Sequence, residues 1–200
     1  MFGLVNRAIQ SFVEDSYSPK HWDDVARLAG LETRDFEGML SYADVVTDRV
    51  LNASGKVLGK RPEALLEDLG TYLVTHPHME VVRRLLRYGG GEFEEFLLSL
   101  DELNDRVQIA IPDLEMPELT LRDRGNGRFS LFVGGQRKGY GALLLGLVQA
   151  MADDYGALVL MELKAEPSDI GAGEHLEVEL LEAAFSQGRS FDLAAGMRGA

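Results

Sequence analysis

The sequence predicts an α+β fold, with a helical amino-terminal part followed by a small four-stranded antiparallel sheet into which one helix is inserted. Three observations carry this reading. Apolar residues recur at steps of three and four as far as Ile111. Beyond Pro112 the pattern changes to short alternating runs around the Asn126-Gly127 pair. A single stripe of helical period, from about Lys138 to Tyr155, interrupts those runs. Helices first and strands afterwards is the order of an α+β chain rather than of repeated βα units.

Taken in order, Phe2, Val5, Ile9, Phe12 and Val13 share the face of a first helix, and Trp22, Val25, Leu28 and Ala29 that of a second. Tyr42, Val45, Val46, Val50 and Val57 fit a longer third. Pro62 followed by Glu63 is suited to a first helical turn, and Leu65, Leu66, Leu69, Tyr72 and Leu73 continue it. Pro77 disfavours helical geometry at His76 and ends that helix. Val81, Val82, Leu85 and Leu86 form a short helix that the glycines at 89 to 91 close.

The segment 92–112 reads as one further helix, with Phe93, Phe96, Leu97, Leu100, Leu103, Val107 and Ile111 on its apolar side. Asn104 falls on that stripe while Glu94, Glu95, Asp101, Glu102 and Asp105 take the other faces, so the amide needs a partner or a purpose. The strands follow: a run at 119–121, the Asn-Gly turn, and a run at 128–133. After the inserted helix come runs at 157–165 and 174–182. Residues 1–184 are expected to form one domain, a helical subdomain over 1–60 and a helix-plus-sheet part over 61–184, with 185–200 as a flexible tail.

Composition narrows the function. With 33 acidic against 20 basic residues the formal charge is -13, a field that repels phosphate backbones and argues against nucleic acid as a partner. Cysteine is absent, which excludes disulfides, thiolate-held clusters and a thiolate heme ligand. Arg7, Glu14 and Asp15 interrupt the first apolar stretch, so neither a signal peptide nor a membrane insertion is expected, and the cytoplasm is the expected compartment.

Catalytic signatures are also missing. The "GKVLGKR" run at 55–61 is one residue short of a phosphate loop, and Arg61 stands where a hydroxyl would hold magnesium, so it reads as a helix end. Of the histidines His21, His76, His78 and His175, only His76 and His78 lie close together, and a pair split by proline reads as an exposed turn rather than a metal site. No nucleophile-base pair or metal-ligand spacing stands out, and the chain does not read as an enzyme.

Several stretches together resemble one family, the heme-nitric oxide/oxygen-binding (H-NOX) domain of bacterial gas sensors and soluble guanylate cyclases. They are the opening "MFGLVNRAIQSFVEDSYSPKHWDDVARLAGL", "LEDLGTYLV" at 66–74, "FLLSLDELNDRV" at 96–107 with "IPDLEMPEL" after it, and "GGQRKGYGALLLGLVQAMADDYG" at 134–156. The likeness spans about residues 1–183.

The resemblance implies heme b as cofactor, held by a histidine on the helix that matches 93–109. Here that position is Asn104, whose amide is a poor iron ligand. The family's Tyr-x-Ser-x-Arg signature, which clasps the heme propionates, aligns with "VGGQR". Val133 and Gly135 thus stand for the tyrosine and serine, and Arg137 is kept. Pro117 matches the proline that presses on the heme.

The resemblance therefore implies a sensory or regulatory protein in which heme binding is weakened or lost and a small apolar ligand can take its place. It implies a cyclase, phosphodiesterase, histidine kinase or chemotaxis protein as partner. Two alternatives stand beside it: iron held by His76 or His78, and an interaction module without any ligand. For Asn104 the plain alternative is a buried amide satisfied by neighbouring backbone; for Arg137 it is an ordinary ion pair.

Overall fold

The computed structural model describes residues 3–112, 114–135, 139–164 and 173–191. Helices α1 (Gly3–Ser16), α2 (Pro19–Leu28), α3 (Asp44–Leu58) and α4 (Pro62–Thr75) come first. A 3-10 turn (Pro77–Met79) leads to α5 (Glu80–Arg87). The starts and stops follow local chemistry. The Ser18 side chain accepts the His21 backbone N–H ahead of Pro19 in the first turn of α2, and Gly59 closes α3 with a left-handed φ of 65°. Pro62 opens α4, and the extended His76 before Pro77 ends it. Helix α3 begins two residues after Tyr42, whose hydroxyl instead accepts the Glu37 N–H at 3.0 Å.

The single helix expected over 92–112 is in fact three pieces: α6 (Phe93–Leu98), a 3-10 turn (Ser99–Glu102) and α7 (Leu103–Ala110). Ser99 is the reason. Its hydroxyl donates to Phe96 O at 2.7 Å, and its carbonyl is taken by the Arg106 guanidinium at 2.6 Å, so local bonds compete with the helical ladder and tighten it. The apolar side survives, with Phe96, Leu97 and Leu100 wholly buried.

Strands β1 (Leu119–Gly125), β2 (Arg128–Gly134), β3 (Leu158–Lys164) and β4 (Gly173–Glu182) form one antiparallel sheet in the order β1-β2-β4-β3. The β1–β2 turn carries φ of 55° at Asn126 and 72° at Gly127, the left-handed pair that a two-residue hairpin needs. Helix α8 (Tyr140–Tyr155) precedes β3 and packs backbone to backbone on α4. A Cβ added at Gly70 would lie 2.0 Å from Leu143 O, and one at Gly146 would lie 1.9 Å from Glu67 O, so only glycine permits this approach.

Two hydrophobic cores result. One, around Phe12, Trp22 and Leu69, joins α1–α4; the other, around Leu100, Leu131 and Met151, lies between the sheet, α6, α7 and α8. Three residues of the helical stripes face outward instead: Val81 is 80% exposed, Val45 59% and Leu28 54%. On α5 the inward position goes to Arg83, 4% exposed, because the buried carboxylate of Asp154 waits for it at 2.9 Å.

Of the segment expected as a tail, residues 186–191 run back over the end of α8. Ser186 N–H donates to Gly156 O at 3.0 Å and Arg189 N–H to Asp154 O at 2.9 Å. Residues 192–200 lie outside the described residues. No helix among the described residues is long and apolar enough to cross a membrane.

Candidate functional site

Asn104 is the second residue of α7 and sits where the chain is tied to the start of the sheet. Its amide Nδ2 donates to the carbonyl of Pro117 at 2.9 Å, while nearby Asp101 accepts the Leu121 N–H at 2.5 Å. These bonds fix the 99–104 turn against β1. The amide oxygen of Asn104 is different: it is buried and finds no hydrogen-bond donor. Turning the amide over would set two oxygens face to face at Pro117, so the neighbouring carbonyl dictates the orientation.

Pro117 is buried, and its ring carries no N–H to answer the Asn104 oxygen. Val133, on β2 opposite Leu119 of β1, is 3% exposed and belongs to the same core as Leu103 and Val107 of α7. Gly135 lies just past β2 with φ of 131°, exposed, and nothing lies within 4 Å of where a Cβ would stand. A serine there would be strained by its backbone rather than by its neighbours. Arg137 lies outside the described residues.

The structure therefore brings Asn104 and Pro117 into direct contact and places Val133 in the core that also holds Leu103, Val107 and Leu119, with Gly135 beyond the strand end. As a site for iron this donor set does not fit. The amide nitrogen is spent on a carbonyl, the amide oxygen is a weak ligand, and protein atoms close over it.

His76 and His78 meet elsewhere. Both Nδ1 atoms approach Oδ2 of Asp15 at the end of α1, at 3.5 Å from His76 and 3.1 Å from His78. His76 stacks on Tyr72, a residue of the α1–α4 core rather than the core that holds Leu103 and Val133. Burial presses the Asp15 carboxyl toward its neutral form. Hydrogen bonds from Tyr72 and His78 and the electrostatic attraction of the two neighbouring histidines outweigh this and hold it below the usual carboxylate value. Burial, and then the bond to Asp15, push the Tyr72 phenol well above its ordinary value. The sequence reading missed Asp15, because nothing in its spacing links α1 to the end of α4.

Comparison with known proteins places these residues in a wider frame. The model of the family described as Haem-NO-binding matches residues 2–163. Soluble guanylate cyclase gcy-31 of Caenorhabditis elegans is 21% identical over 140 residues, which is 70% of this chain and 20% of that protein. Guanylate cyclase soluble subunit beta-2 of Rattus norvegicus is 27% identical over 92 residues, 46% of this chain and 14% of that one. The chain thus spans about a fifth or less of these two curated relatives. Among solved structures, the Fe(II) unliganded H-NOX protein from K. algicida superposes with a TM-score of 0.78 at 16% identity, over 94% of this chain and 100% of that one. An H-NOX protein from S. oneidensis gives 0.75 at 14% identity, over 96% and 100%.

Proposed function

Because the chain belongs to the Haem-NO-binding family, whose model covers residues 2–163, we propose that it is a sensory or regulatory protein in which heme binding is weakened or lost at Asn104 and a small apolar ligand serves in its place. The family is one of sensor domains rather than catalysts. The observation that carries the reading is the state of Asn104: its nitrogen is committed to Pro117 O at 2.9 Å, and its oxygen is buried without a partner. A residue so engaged offers iron no strong ligand.

The functional consequence lies in coupling. A ligand shifts a conformational equilibrium only by the difference in its contacts with the two states. Where a metal–histidine bond links a gas to a helix, breaking that bond moves the helix; Asn104 offers no such bond. Here α7 and the 3-10 turn before it are instead tied to β1 and the residue leading into it through Asn104–Pro117 and Asp101–Leu121. An apolar ligand would act on this helix by spreading or filling the core around Val133. The relatives being cyclases, a guanylate cyclase is the first partner proposed, acting in the cytoplasm.

A second reading, an interaction module without ligand, draws support from the same amide oxygen. It is closed over by protein atoms, and Val133, in the same core as Leu103 and Val107 of α7, is 3% exposed, as in a filled core. A hemin titration followed in the Soret region, with wild type and Asn104→His side by side, separates the readings. No uptake by wild type and recovery in the variant supports the proposal. No uptake by either favours the ligand-free module. Saturable uptake by the wild type, with a spectrum that responds to nitric oxide, refutes both.

A further inference from the structure

The geometry points to a binding site for a divalent transition-metal ion, with zinc(II) as its probe, formed by Asp15, His76 and His78 where the end of α1 meets the end of α4. One ligand atom from each residue lies within 4.8 Å of the others. Metal–nitrogen and metal–oxygen bonds of about 2.1 Å at a tetrahedral centre set ligand atoms about 3.4 Å apart. The two His–Asp separations, 3.5 and 3.1 Å, already have that size. Two imidazoles and one carboxylate are also the donor set that borderline ions such as zinc, nickel or copper take, and that calcium and magnesium do not.

The backbone makes the convergence. Pro77 ends α4 and starts a 3-10 turn, which folds His78 back toward His76 until their rings stand 4.9 Å apart at 76°. His76 is fixed by stacking on Tyr72 at 4.7 Å, with its ring 28% exposed, and the Tyr72 hydroxyl donates to Asp15 Oδ2 at 2.6 Å. That is the outer-sphere bond that orients a ligating carboxylate. His78, 71% exposed, is free to turn its ring onto an ion.

The hydrogen bonding asks for a cation. Nδ1 of His76 turns its lone pair to the His78 backbone N–H at a long 3.4 Å, and the same atom faces a carboxylate oxygen at 3.5 Å. A neutral imidazole cannot accept and donate at one nitrogen. A metal ion held between Nδ1 and the carboxylate would take the lone pair from the long 3.4 Å bond to the His78 N–H, which is given up, and form a bond to each of the two facing atoms. With three protein ligands and an open side toward solvent, water would complete the coordination, and the ion would clasp α1 to α4. This site is independent of the reading of Asn104.

The test is calorimetric titration of the tag-free full chain with zinc chloride, with cobalt(II) absorbance to report the coordination. One ion per chain is expected. His78→Ala and Asp15→Asn should each weaken binding at least tenfold, Tyr72→Phe should weaken it less, and His21→Ala should leave it unchanged. Zinc should also raise the melting temperature of the wild type and not of His78→Ala. His78 is largely exposed, so its variant keeps the fold, and circular dichroism verifies this. Failure to saturate, wild-type affinity in both the His78 and Asp15 variants, or an equal loss in His21→Ala would overturn the site.

Discussion

Replacing Asp154 by asparagine tests the most concentrated charge in the interior. Its carboxylate is 1% exposed and faces three guanidiniums, Arg83 at 2.9 Å, Arg189 at 3.6 Å and Arg87 at 3.7 Å, of which Arg83 and Arg87 are 5% and 11% exposed. Asparagine keeps the shape and an acceptor for Arg83 but removes the only negative charge among the described residues that the structure pairs with Arg87. Glu80, 47% exposed and 3.2 Å from Arg83, can answer only one of the two buried cations. Leaving a buried charge without its counter-ion costs about 3–5 kcal/mol, a large share of the 5–15 kcal/mol that holds a typical domain together. Urea unfolding measures it, followed both by the single tryptophan, Trp22 in the other core, and by far-ultraviolet circular dichroism. The expected result is a lower midpoint with both signals still coincident. A paired apolar replacement, Arg83→Met with Asp154→Leu, should cost at least about 2 kcal/mol less than the two single changes summed. A cost for Asp154→Asn below about 1 kcal/mol, or strict additivity of the pair, would refute the account.

Three further outcomes follow from the same structure. Burial, which outweighs the nearby Arg87, raises the pKa of the Tyr155 phenol. The stability it contributes is therefore full below the ordinary tyrosine value of about 10 and is lost as pH rises through the folded one. Tyr155→Phe should flatten that alkaline loss while costing about 1 kcal/mol at neutral pH for the bond to Gly90 O at 2.8 Å, as read from urea midpoints across pH. Gly146→Ala places a Cβ 1.9 Å from Glu67 O and should cost about 3 kcal/mol or more, whereas Gly59→Ala, in open space but at φ of 65°, should cost about 1 kcal/mol. Asn104→Asp sets a carboxylate against the Pro117 carbonyl with no donor between them. A loss of about 2–4 kcal/mol is expected, and a loss under 0.5 kcal/mol would mean the amide bond is not formed.

Most of the fold was legible because its signals are local. Pro62, Pro77, Gly59 and the Asn126-Gly127 pair each act on their own backbone, and each stands where the chain turns or a helix starts or stops. Periodicity failed where a polar side chain outside the apolar pattern intervened. The stripe over 92–112 is correct as a buried face, but the break at Ser99 depends on the Arg106 guanidinium folding back onto it. The stripe on α5 promised Val81 to the interior, but Asp154 of α8 takes Arg83 instead. A partner that far away leaves no mark on a local pattern.

The candidate site divides along the same line. The apolar stripe singled out Asn104 and the family likeness gave its position meaning, yet neither shows what the amide does. An asparagine on a buried stripe can satisfy both ends, line a space, or be left half-paired, and only the third agrees with an oxygen that is buried and unbonded beside a proline. Leaving such an oxygen unpaired costs about 1–3 kcal/mol, and an apolar residue at 104 would avoid that cost at the price of the bond to Pro117. The two effects are of similar size, so stability alone gives no strong reason to hold an asparagine here. That near balance is why the hemin titration of Asn104→His carries more weight than any stability measurement. It asks whether the core beside Val133 still has room for a flat apolar ligand, a property of space that the balance of polar bonds at 104 does not reveal.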